Sequence, residues 1–107
     1  MLATNTERTL YTSGVVPIAT DGTVPSALED QAELVWVNIS AILAEAEMMP
    51  TDIVSITTYV VVGEPLVPVM AARDRALNGH KAASTLLTVP ALARPEWRVE
   101  VAIIAAR

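Results

Sequence analysis

The stretch AASTLLTVPALARPEWRVEVAIIAA, Ala82 to Ala106, decides how this chain is read. Ser84–Val89 and Arg98–Ala105 are short runs of aliphatic and β-branched residues joined by a loop, the pattern of two β-strands. Along the second run, Val99, Val101, Ile103 and Ala105 share one face, and Arg98, Glu100, Ala102 and Ile104 share the other. Apolar residues thus stand on both faces of the last strand, so both faces need cover.

Upstream of it, Thr9-Leu10-Tyr11-Thr12-Ser13 reads as a short strand closed by Gly14, Val15–Ile18 continues extended, and Asp21-Gly22 marks a turn. Ser26-Ala27-Leu28-Glu29 has the form of a capping box. The helix it opens places Leu28, Ala32, Val35, Trp36, Ile39, Leu43 and Ala46 on one stripe and must end near Met48-Met49, before Pro50. Ile53–Val62 alternates as a strand, with Ile56, Thr58, Val60 and Val62 opposed to Ser55, Thr57, Tyr59 and Val61. A second helix is expected from Val67 to Asn78, with Pro68 in its first turn and Asn78-Gly79 as a left-handed stop. The expected architecture is one α+β domain over residues 1–107, a single sheet with two helices packed on one face. Its uncovered sheet face predicts association between subunits.

Composition narrows the classes of function. The chain is 52% apolar but 4% aromatic, so Val, Ile, Leu and Ala build the core and leave more apolar surface than a small domain readily hides. Seven basic residues against twelve acidic ones give a net charge of −5, and the basic residues form no run, which disfavours nucleic acid as a partner. The absence of cysteine excludes disulfides and thiol nucleophiles, and with one histidine no metal site is expected. The first residues lack the pattern of a signal peptide, and no apolar run approaches the roughly 18 residues of a membrane span. A cytoplasmic protein with no membrane partner is expected.

The opening Tyr11-Thr12-Ser13-Gly14-Val15-Val16-Pro17, the helix centred on Asn38-Ile39 and the closing Leu92-Ala93-Arg94-Pro95-Glu96-Trp97-Arg98-Val99-Glu100-Val101 resemble the Rid family, also called YjgF-like or L-PSP endoribonuclease proteins. The resemblance spans roughly Leu10 to Arg107. It implies a chorismate-mutase-like fold, a homotrimer with sheets facing a central barrel, and ligand clefts between subunits. It also implies hydrolysis of enamines or imines to keto compounds and ammonia, without a cofactor. In such proteins an arginine on the penultimate strand grips the substrate carboxylate, and a glutamate on the last strand serves the attacking water.

At both of those points the chain differs. The arginine position falls on Ala83 or Ser84, and the catalytic glutamate falls on Ala102, while Glu100 matches the first glutamate of the usual pair. Ala83, Ser84, Thr85, Trp97, Arg98 and Ala102 are the cleft positions, and Glu100 is the candidate general base. Glu100 can instead be an ion-pair partner of Arg98 or of an arginine from another subunit. Ser84 and Thr85 suit either pocket hydroxyls or backbone-paired strand residues, and no base partner supports a nucleophilic serine. Arg94 or Arg98 can replace the missing guanidinium or remain a solvated loop charge. His80 reads as a surface residue interacting with a helix C-terminus, Trp36 as core and Trp97 as a cleft wall. The functions left open are an altered imine deaminase acting on a small metabolite, a non-catalytic ligand-binding or regulatory trimer, and, with least support, an endoribonuclease or other hydrolase.

Overall fold

A computed structural model describes residues 1–107. Four strands, β1 (Thr9–Tyr11), β2 (Ile53–Val61), β3 (Ala83–Val89) and β4 (Val99–Ala106), form one mixed sheet in the order β1-β4-β2-β3. β2 and β3 are parallel, and the other pairings are antiparallel. Helices α1 (Leu28–Glu45) and α2 (Val67–Leu77) contribute Leu28, Ala32, Val35, Trp36, Ile39, Leu43, Val69, Ala72 and Leu77 to a core shared with Ile53, Ile56, Val60, Val99, Val101, Ile103 and Ala105. The expected two-helix, one-sheet architecture is what these residues build. No helix is long and apolar enough to cross a membrane.

Strand alternation explains the layering. Ile56, Thr58 and Val60 of β2 are buried under the helices, as are the four odd-numbered residues of β4 from Val99 to Ala105. Val62 leaves this pattern, because β2 ends at Val61 and Val62 is 62% exposed. β1 is shorter than expected, stopping at Tyr11.

The helix ends differ from the sequence signals in an instructive way. No capping box forms at Ser26 and Glu29: Ala27 is the N-cap, without a side-chain bond. The Ser26 carbonyl instead accepts from the Arg98 guanidinium, so a tertiary contact claims the segment that local chemistry marked as a cap. α1 stops at Glu45, short of Met48, in a Schellman arrangement. Met48 N–H donates to the Leu43 carbonyl (2.8 Å) and Glu47 N–H to that of Ala44 (3.0 Å), with Glu47 at φ 56° where glycine is usual. Pro50 then opens a single 3-10 turn, Pro50–Asp52, in which the Asp52 carboxylate accepts from Met49 N–H at 2.8 Å. At α2 the expected stop is present, with Asn78 and Gly79 at φ 45° and 89°.

A buried glutamine ties α1 to the loop before β4. Gln31, 1% exposed, donates through Nε2 to the carbonyls of Pro25 and Glu96, both at 2.8 Å, and accepts from Arg98 N–H at 3.0 Å. The loop that precedes β4 is thereby anchored to α1.

Candidate functional site

The side of the sheet away from the helices is an open face whose rows follow from the register. Tyr11, Ile104, Ser55 and Ala83 lie across one row, Ala102, Thr57 and Thr85 across the next, and Glu100, Tyr59 and Leu87 across a third. Ala83, Thr85, Leu87 and Tyr11 are exposed, and the others are half-buried. With strands about 4.8 Å apart, Ala102 and Thr85 stand about 10 Å from each other across β2. No basic residue stands among the strand residues of this face.

Register also decides between the two positions left open for the missing arginine. Ser84 pairs with Ile56, a buried core residue, so it belongs to the helix side of β3. Ala83 pairs with Ser55 and shares the open face with Thr85, Ala102 and Glu100. Ser84 and Thr85 therefore do not line one pocket. Ser84 Oγ accepts from Arg73 Nη1 at 3.5 Å instead.

Beyond β1 the chain keeps to the edge of β4. Thr12 N–H donates to the Ile103 carbonyl at 3.1 Å, and Val15 and Val101 exchange a pair of backbone bonds at 2.7 and 3.1 Å. Ser13 and Gly14 are thus both set against Ala102, a two-against-one bulge. The Glu100 side chain leans across this bulge, and a Cβ on residue 14 would overlap its carboxylate. The crowding comes from the end of a flexible side chain and the backbone is not left-handed, so a larger residue here would displace the Glu100 carboxylate rather than strain the chain. The Ser13-Gly14 pair inside a strand pattern was the available sequence signal for the bulge, but nothing in sequence placed Glu100 upon it.

The Glu100 carboxylate has no hydrogen-bond or ion-pair partner within the chain. The alternative of a pair with Arg98 is overturned. Arg98 directs its guanidinium to Glu64, 3.4 Å away, and to the Ser26 carbonyl, because it precedes β4 and is held at the sheet's end by Gln31. Neither arginine considered as a replacement stands beside Ala83, for Arg94 lies 5.8 Å from the centre of the Trp97 ring. Trp97 is half-buried, and its indole N–H is buried without an acceptor. His80 also departs from expectation: its ring Nε2 is 2.8 Å from the Ile53 carbonyl, while its backbone N–H, not its ring, closes the end of α2 on Leu77.

Beside the bulge a depression of about 430 Å3 is walled by Ser13, Gly14, Val16, Asn38 and Ile42, among others. Asn38 holds its shape, donating through Nδ2 to the carbonyls of Val16 (3.1 Å) and Ile18 (3.0 Å). Glu100 thus lies over the bulge, and the bulge residues Ser13 and Gly14 also wall a mainly apolar hollow that does not include Glu100. No group of three or more acidic or histidine residues is arranged to hold a metal ion.

Comparison with other proteins agrees with this geometry. The family described as Endoribonuclease L-PSP matches residues 2–107. Among solved structures, the Rid-family protein YyfB from Yersinia pestis is 30% identical, with a TM-score of 0.89 over 96% of this chain and 81% of its own. YyfA from the same organism is 28% identical, with a TM-score of 0.86 over 92% and 80%. Escherichia coli TdcF, solved with bound serine, is 22% identical and shares the fold, with a TM-score of 0.86 over 99% and 84%. No curated protein matches. With the two-helix sheet, the Ser13-Gly14 bulge and a matching family spanning nearly every residue, the chain belongs to the Rid family, also described as endoribonuclease L-PSP.

Proposed function

We propose that the chain assembles as a homotrimer through its open sheet faces and binds a small metabolite in the clefts between subunits. There it hydrolyses an enamine or imine to a keto compound and ammonia. The observation that carries this reading is the unpartnered Glu100 carboxylate over Gly14 on a sheet face that the helices leave uncovered. A solved neighbour with bound serine supports a small nitrogen-bearing metabolite as the ligand class.

The chemistry needs one base. An enamine first tautomerises to its imine. Glu100 takes a proton from water as the oxygen attacks the imine carbon, and that proton goes on to the nitrogen. Glu100 then takes the carbinolamine hydroxyl proton and passes it to the nitrogen as the C–N bond breaks, leaving a C=O group and ammonia and restoring the carboxylate. Glu100 is half-buried on the open face and free of partners within the chain, so its carboxylate is available to a water held beside it.

Charge selects among substrates. With Ala83 at the arginine position and Glu100 as the charged strand residue of the face, an imine without a carboxylate is the better match. The test generates two imines in situ, 2-iminopropionate from 2-aminoacrylate and an uncharged ketimine, and follows carbonyl product with and without the protein. Acceleration of the uncharged imine, abolished by Glu100→Gln, is the expected result. An unchanged rate in Glu100→Gln removes Glu100 from the mechanism, and no acceleration of either imine leaves the non-catalytic binding role. Light scattering checks the trimer, and a monomeric mass ends the shared-cleft reading.

A further inference from the structure

Away from the open face, the end of α2, the link that follows it and the first residues of β3 meet at the sheet's edge. They enclose a depression of about 310 Å3 lined by Arg73, Asp74, Leu77, Gly79, His80 and Lys81. A second hollow of about 190 Å3 continues it to Ala82 and Ser84. Two cations, Arg73 and Lys81, face one acid here, in a chain whose net charge is −5.

The polar groups are already arranged. Asp74 Oδ1 accepts from Arg73 Nε and lies equally close to Nη2, both at 3.0 Å, so one edge of the guanidinium is held. Nη1 is left with a single long contact, 3.5 Å to Ser84 Oγ. The Arg73 side chain is 23% exposed against 68% for Asp74, so the guanidinium is fixed at the wall while its partner stands in solvent. Such an exposed pair neutralises little. His80 is committed to the Ile53 carbonyl, and Lys81 has no acidic partner within salt-bridge distance.

We propose that this depression binds a small oxyanion, a carboxylate or a phosphate, through the free edge of Arg73, the Lys81 ammonium and the Ser84 hydroxyl. A planar guanidinium presents paired N–H groups to two oxygens of one anion. Because Asp74 already orders Arg73, binding costs little rotamer freedom. Ser84 lies on the helix side of β3 and Ala83 on the open side, so this site is separate from Glu100 and does not depend on the hydrolysis proposed above.

The experiment titrates the full-length chain with inorganic phosphate, and separately with acetate, at constant ionic strength set with chloride, following backbone amide resonances. Saturable shifts confined to residues 79–84 and to Arg73 are expected. Saturation by phosphate alone assigns a phosphorylated ligand, and saturation by both admits a carboxylate. Arg73→Gln should weaken binding about tenfold or more, the usual scale for losing a charged hydrogen bond. Lys81→Gln, at an exposed position, should weaken it severalfold without touching the fold. Dispersed, non-saturating shifts with both anions, or undiminished binding in both variants, would overturn the site.

Discussion

Replacing Gln31 tests whether one buried amide holds the last strand in register. Gln31 makes three hydrogen bonds to backbone groups of Pro25, Glu96 and Arg98. Met at this position keeps the length and most of the volume but offers no donor and only a weak acceptor. Each orphaned backbone group costs about 1–3 kcal/mol when fully buried. The bonds here are partly buried, so water recovers part of the loss and about 1 kcal/mol apiece, about 3 kcal/mol in all, is the reasonable figure. Gln31→Ala also removes the Cγ methylene, at about 0.8 kcal/mol, giving about 4 kcal/mol. Against a typical total of about 5–15 kcal/mol, the alanine variant should be marginally folded. Urea unfolding at matched protomer concentration, with the midpoint and slope fitted separately, reads the effect. Gln31→Glu should be at least as destabilising as Met, since it sets a buried carboxylate oxygen against the Pro25 and Glu96 carbonyls and keeps only the acceptor for Arg98. A Gln31→Met protein within about 0.5 kcal/mol of wild type, the usual range for a neutral surface change, would refute the anchoring role.

Three further outcomes follow from the same contacts. Gly14→Ala should leave the far-ultraviolet spectrum intact, because Gly14 is exposed and its φ suits any residue. It should nonetheless lower any imine hydrolysis at least as much as it displaces Glu100; equal rates would mean that the acid needs no room there. Ile104→Asp sets a charge in the centre of the open face, beside Tyr11 and Ser55. Light scattering should then report smaller particles, and an unaltered mass would exclude this face as the interface. The Asp21 carboxyl is held below its ordinary value, chiefly by the Thr23 hydroxyl and then by the Thr23 amide. Its folded pKa is therefore lower than its unfolded one, so its stabilisation is complete above the ordinary carboxylate range and is lost as pH falls through the folded value. Asp21→Asn should narrow the gap between melting temperatures at neutral and at acid pH. A gap that stays the same would show that the turn does not sense this charge.

The strands and helices were legible because their residues repeat with the period of the element they form. The Val99–Ala105 alternation marks the core face of β4, the Leu28–Leu43 stripe marks α1, and Asn78-Gly79 marks the end of α2. The α1 ends were less legible. Glu47 carries no signal for a left-handed cap, and Ser26 was claimed by Arg98, which is distant in sequence. The polar anchors Gln31 and Asn38 were missed for the same reason: each bonds to backbone groups far along the chain, and no local pattern records that.

Sequence by itself determined the layer architecture and the family, and it revealed that alanines stand where charged side chains were expected at Ala102 and near Ala83. These are local facts, readable from periodicity and residue type. Tertiary structure alone decided that Ala83 shares a face with Ala102 while Ser84 turns to Arg73, that Arg98 serves Glu64 rather than Glu100, and that Glu100 lies over Gly14. Each of these depends on strand register or on a contact between distant segments. A shift of one residue in register exchanges the two faces of a strand, so only the pairing of β2 with β3 and β4 could say which side chains meet.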